Sequence, residues 1–121
     1  MWKKKLTAIR GASCITEDTP EAVQKAVSEL FTVLYEKNAI NEKDIVSIQF
    51  TLTPDIQSMN PAAALRKAGF AGTCPLFCSQ EPVITGMLPK TVRVLITLYT
   101  GKPAVPVYIN GAERLRPDLC R

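Results

Sequence analysis

The clearest patterning in the chain is strict alternation over residues 46–52. Val46, Ile48, Phe50 and Leu52 fall on one side, and Ser47, Gln49 and Thr51 on the other. Successive strand side chains point to opposite faces, so one face of this segment packs on a core and the other meets something polar. Upstream the period changes. Val23, Val27, Leu30, Phe31 and Leu34 recur on one face of a 3.6-residue repeat, which predicts a long amphipathic helix. Thr19 is placed to cap it, with Pro20 at the first helical position and Glu21 in the first turn. The helix should run to about Lys37, where Asn38 and Asn41 fit a terminating turn. Residues 4–10 alternate weakly and read as a first strand ending at Arg10-Gly11-Ala12.

Beyond the alternating strand, Thr53-Pro54-Asp55 marks a stop. A second helix is expected from near Pro61, carrying Ala62, Ala63, Ala64, Leu65 and Arg66, with Gly69 or Gly72 to end it. A short apolar strand follows through Pro75, Leu76, Phe77 and Cys78, then a Gly86-containing loop, then a strand over Thr91–Tyr99. Gly101-Lys102-Pro103 turns the chain toward a last strand, Val105–Ile109. The order β-α-β-α-β-β-β fits a mixed β-sheet with helices packed on one face, an α/β or α+β domain spanning residues 1–121. No internal repeat, linker or low-complexity segment interrupts it.

One residue breaks the pattern. Arg93 sits in Val92-Arg93-Val94-Leu95-Ile96, which otherwise reads as a buried strand. A guanidinium keeps its charge in a protein and is rarely buried without a partner, so an anion must meet it. Arg10 before a glycine, Glu81 after a short apolar strand, and Tyr108 are similarly at odds with their surroundings. Each has a structural explanation: Glu81 pairing with Arg93, Arg10 at the surface, Tyr108 as packing. Several arginines converging on one anionic ligand would explain them jointly, because the guanidinium fork matches a carboxylate. Composition does not choose between these readings.

Composition does exclude much else. The 121 residues hold no histidine, which removes Ser-His-Asp and Cys-His catalysis and the common histidine metal sites. Cys14, Cys74, Cys78 and Cys120 lack zinc spacing and read as reduced structural thiols. The net charge of +4 is mild and scattered, with Lys3-Lys4-Lys5 as its only cluster and no basic stripe with interleaved aromatics. Nucleic acid is therefore not the expected partner. No apolar run approaches the roughly 20 residues a membrane helix needs, and the N-terminus has no signal-like core. A cytoplasmic protein is expected.

The motifs, taken in order, point further. Ala8-Ile9-Arg10-Gly11-Ala12, Thr53-Pro54-Asp55, Pro61-Ala62-x-Ala64-x-Arg66, Cys78-x-Gln80-Glu81, Val92-Arg93-Val94, Val107-Tyr108 and Leu115-Arg116-Pro117-Asp118-Leu119 occur in one register. From about residue 6 to 119 this resembles the monofunctional chorismate mutases of the small trimeric α/β type. The resemblance implies a pseudo-barrel homotrimer with active sites between subunits, converting chorismate to prephenate in phenylalanine and tyrosine biosynthesis without cofactor or metal.

The resemblance also implies roles. Arg93 is expected at the substrate's ether oxygen, also touching the side-chain carboxylate. Arg10 would clamp a carboxylate with Tyr108, and Glu81 would hold the ring hydroxyl, helped by the backbone at Cys78. Arg66 and Arg116 would line the mouth, with Leu76, Phe77, Ala62 and Leu115 as walls; Arg66 and Ala62 would come from a neighbouring subunit. The sequence departs from the family pattern at Asn60, often aromatic, and at Ala63, often lysine. Phe77 before Cys78 and Pro82 after Glu81 also reshape the expected pocket, and a tail ending at Arg121 is expected to be short. Two other readings share the trimeric scaffold: an enamine/imine deaminase-like hydrolase, in which Glu81 orients water, and a non-catalytic metabolite-binding protein.

Overall fold

The computed structural model describes residues 3–120; Arg121, and with it the end of the expected short tail, lies outside them. Five strands form one mixed sheet in the order β3-β2-β4-β1-β5. These are β1 (Lys5–Cys14), β2 (Ile45–Leu52), β3 (Leu76–Gln80), β4 (Thr91–Thr100) and β5 (Val107–Ile109). The helices are α1 (Pro20–Asn38) and α2 (Pro61–Lys67), so the expected β-α-β-α-β-β-β order holds. β4 runs antiparallel to β1 and β2, while β5 and β3 run parallel to their neighbours. Among the described residues no helix is long and apolar enough to cross a membrane.

Strand parity builds the core on one face only. Ile9 of β1, Ile48 and Phe50 of β2, and Val92, Val94, Ile96 and Leu98 of β4 are buried with Val23, Val27, Leu30, Phe31 and Leu34 of α1. Gly11 shows how closely α1 lies on the sheet: an added Cβ would stand 3.2 Å from Leu34 Cδ1 and 3.1 Å from the Val107 carbonyl. No larger residue fits there without moving α1 or β5. Ala62, Ala64 and Leu65 extend the same core from α2.

The helix ends follow their chemistry. Thr19 Oγ1 accepts from Ala22 N at 3.1 Å, as the N-cap reading requires. After α2, Gly69 takes φ of 90°, and the Gly69 and Phe70 amides donate to Arg66 and Leu65, a Schellman turn. After α1 the left-handed residue is Ala39, at φ 47°, rather than either flanking asparagine. Asn38 is instead buried. Its amide accepts from Val105 N at 2.7 Å and donates to Val105 O at 2.9 Å, tying the segment that leads into β5 to the end of α1.

Two expectations change. Val46 is exposed, because a register shift between Ile45 and Ser47 breaks the alternation at the start of β2. β4 is not buried on both sides. Arg93, Leu95 and Tyr99 are exposed on the face away from the helices.

Candidate active site

The uncovered sheet face aligns polar groups in rows. Backbone pairing sets Ser79, Thr51, Arg93, Ala12 and Tyr108 side by side across all five strands. The next row runs Phe77, Gln49, Leu95, Arg10. Paired residues share a face, so side chains far apart in sequence converge here. The result is a cleft of about 360 Å³ lined by Arg10, Gln49, Thr51, Arg93, Leu95, Tyr108, Leu115 and Arg116, among others.

The start of β4 is held firmly. The Asp55 carboxylate accepts from Lys90 N at 3.1 and 2.9 Å, and Lys90 sits at φ 49°. Thr91 N donates to Thr53 Oγ1 at 3.0 Å, and Thr53 N donates back to Thr91 O at 3.1 Å. Thr53-Pro54-Asp55 thus clamps the entry to the strand that carries Arg93. Tyr108 is placed from the other side, by the Asn38–Val105 bonds and the close packing at Gly11.

Arg93 has a protein partner. Its Nε lies 3.2 Å from Glu81 Oε2, with the Arg93 side chain 49% exposed and that of Glu81 13% exposed. Thr51 Oγ1 donates to the same oxygen at 2.6 Å, and Glu81 N donates to Leu52 O at 2.8 Å. Glu81 is therefore fixed at backbone and carboxylate, while Arg93 still reaches solvent. At the other end of the cleft Arg116 and Asp118 form a two-pronged pair, Nε to Oδ1 at 3.0 Å and Nη2 to Oδ2 at 2.7 Å. That hydrogen bonding holds the Asp118 carboxyl below its ordinary range and Arg116 above its own. Arg10 adds to the lowering at Asp118.

The other expected site residues lie elsewhere in the chain. Asn60 caps α2, its Oδ1 accepting from Ala62 N at 2.8 Å, and Ala62 is buried in the helix-side core. Arg66 is exposed on α2 and does not line the cleft. Leu76 and Cys78 pack toward the core because they pair with Ile48 and Phe50. As a wall of this chain's own cleft, Leu76 is excluded by that parity. Burial pushes the Cys78 thiol up, away from thiolate chemistry. Its backbone faces the other way: Pro75 O and Glu81 N point to β2, so alternation turns the Cys78 amide and carbonyl to the outer edge of β3. Phe77 is 72% exposed on the open face. Gln49 and Thr51 were absent from the expected site, although the polar side of the β2 alternation signalled them.

A mixed sheet with two helices and a histidine-free, arginine-lined cleft defines an α+β protein equipped to hold an anion. Residues 6–119 match the family described as chorismate mutase type I, and the chain belongs to that family. It is 40% identical over 115 residues to chorismate mutase AroH of Thermus thermophilus, covering 92% of this chain and 93% of that protein. With chorismate mutase AroH of Bacillus subtilis (strain 168) it shares 33% identity over 117 residues, 94% and 92% of the two chains. A chorismate mutase from Clostridium thermocellum superposes with a TM-score of 0.84 at 35% identity, over 89% of this chain and 98% of that one.

Proposed function

We propose that this chorismate mutase rearranges chorismate to prephenate in the cleft over β4, with Arg93 as the catalytic cation. The observation that carries this reading is the meeting of Arg10, Arg93, Tyr108 and Arg116 in one cleft, with Glu81 fixed against Arg93. The rearrangement is pericyclic and needs no nucleophile, metal or proton transfer, which suits a chain with no histidine. Its demand is electrostatic and entropic. In the transition state the ether bond breaks before the new carbon bond is complete, leaving partial negative charge on the ether oxygen. A fixed guanidinium at that oxygen binds the transition state better than the ground state. One preorganised donor of this kind contributes about 3–4 kcal/mol.

In this reading Arg10 and Tyr108 hold a substrate carboxylate and Glu81 accepts from the ring hydroxyl. The Cys78 backbone lies at the β3 edge, on the same side of the site. Folding the enol-pyruvyl chain over the ring is the second contribution, supplied by these clamps. Arg66 and Asn60 do not line this cleft. In this reading they serve the site of a neighbouring copy in a homotrimer with shared sites, while Ala62 stays buried in its own core. Leu6, Phe77, Leu95 and Tyr99, exposed on the uncovered face, give such a trimer an apolar interface. The Asn60 and Ala63 departures then fall at the mouth rather than at Arg93.

Loss of chorismate absorbance on mixing with the purified protein tests the activity directly. Binding without turnover would favour the metabolite-binding alternative, and ammonia release from an imino acid the hydrolase. Light scattering tests the assembly; a monomeric mass with full activity would overturn the shared site.

A further inference from the structure

Asp118, paired with the cleft residue Arg116, is a carboxylate that the catalytic reading leaves without a task. It lies two residues from Arg116, across Pro117, which begins a 3-10 turn spanning Pro117–Leu119. That turn is stabilised by Leu119 N donating to Arg116 O at 3.0 Å. It presents the two side chains to each other in the bidentate geometry a guanidinium offers any carboxylate. Both groups are exposed, at 42% for Arg116 and 55% for Asp118, so the pair adds little to folding.

The contrast with the other ion pair of the cleft is informative. Glu81 is half-buried and tied down by Thr51 as well as Arg93. The Asp118 side chain has Arg116 as its partner and stands within the field of Arg10. One carboxylate is anchored by a second side chain; the other has its side-chain hydrogen bonds from the group it neutralises.

We propose that Asp118 is an intramolecular stand-in for a substrate carboxylate, holding the Arg116 fork in the free enzyme and yielding it when the dianion binds. The proposal rests on the placement of Arg116 at the mouth of the chorismate site. Asp118 is then a positioning residue: it keeps the Arg116 fork oriented while lowering apparent affinity by the fraction of time the fork is occupied. That fraction sets product release as well as substrate entry, because prephenate is also a dianion.

Steady-state kinetics on Asp118→Asn, Asp118→Glu, Arg116→Ala and the Arg116→Ala/Asp118→Asn double variant test this. The expected result is that Asp118→Asn lowers both KM for chorismate and Ki for prephenate about two- to five-fold, the weight of a surface ion pair in an equilibrium constant. Its kcat should change less than its KM. Asp118→Glu, which keeps the competing carboxylate, should stay near the parent KM, and the gain should vanish when Arg116 is already alanine. An unchanged or raised KM in Asp118→Asn overturns the stand-in. So does a gain that persists without Arg116, since that would reflect net charge alone. If Arg116→Ala itself leaves KM unchanged, it is the placement of Arg116 in the site that fails.

Discussion

The two faces of the sheet are made from the same strands and do opposite work. On the helix side, β4 contributes Val92, Val94, Ile96 and Leu98, all buried. On the open side, the residues between them are Arg93, Leu95 and Thr97, which stay exposed or half-buried. Alternation lets one strand serve a dry core and a charged cleft, one residue apart. The helix face should therefore govern stability with little direct effect on chemistry, and the open face should do the reverse.

The sharpest way to break that division is at Phe31, which is fully buried and stacks near Phe50 and Phe70 at centroid distances of 5.6 and 6.0 Å. Phe31→Ala should cost about 3–5 kcal/mol of unfolding free energy, read by denaturant titration. The molecules that remain folded should keep a near-normal kcat. Arg93→Lys tests the opposite face. Lysine keeps the charge and loses the fork, so kcat should fall by about a hundred- to a thousandfold while the melting temperature hardly moves. Turnover at the parent rate would overturn the catalytic role proposed for Arg93.

Glu81→Ala is expected next in size, with a loss of roughly ten- to a hundredfold in kcat/KM, the range for a hydrogen bond to a charged group. The protein should remain folded; if it unfolds instead, the Glu81–Arg93 pair is structural. The smallest effect concerns Tyr35, at the edge of the aromatic cluster. Burial first, and then its 2.7 Å hydrogen bond to Glu42, push the phenol above its ordinary value. The fold thus favours the neutral phenol. The stabilisation is fully present below about pH 10, where the unfolded phenol ionises, and is lost as pH rises beyond that. Tyr35→Phe should flatten the alkaline fall in stability; an unchanged slope would remove Tyr35 from that titration.

Most of the element order could be read from the chain because it depends on local signals. The 3.6-residue repeat of α1, the Thr19 cap and the alternation of Ile48, Phe50 and Thr51 each act over a few residues. The misread places needed longer range. Val46 looked like a core residue until the register shift against β4 turned it out. Arg93 looked buried because its apolar neighbours concealed which face carried the helices. Ala39, a residue with no special liking for positive φ, closes α1 because Asn38 is committed to Val105, 67 residues away.

By itself, the sequence determined the two periodicities, the absence of histidine chemistry, and the set of arginines, glutamate and tyrosine available for an anionic substrate. Periodicity and ionisation are properties of a residue and its near neighbours, so they survive without a fold. Only the tertiary structure decided which of those groups meet. Pairing β1 and β2 with opposite edges of β4 puts Arg10, Thr51 and Arg93 together, and the parallel return of β5 adds Tyr108. It also left Arg66 and Ala62 away from that cleft, Ala62 buried in the helix-side core. Contacts across a sheet depend on register between distant segments, and no local signal records that register.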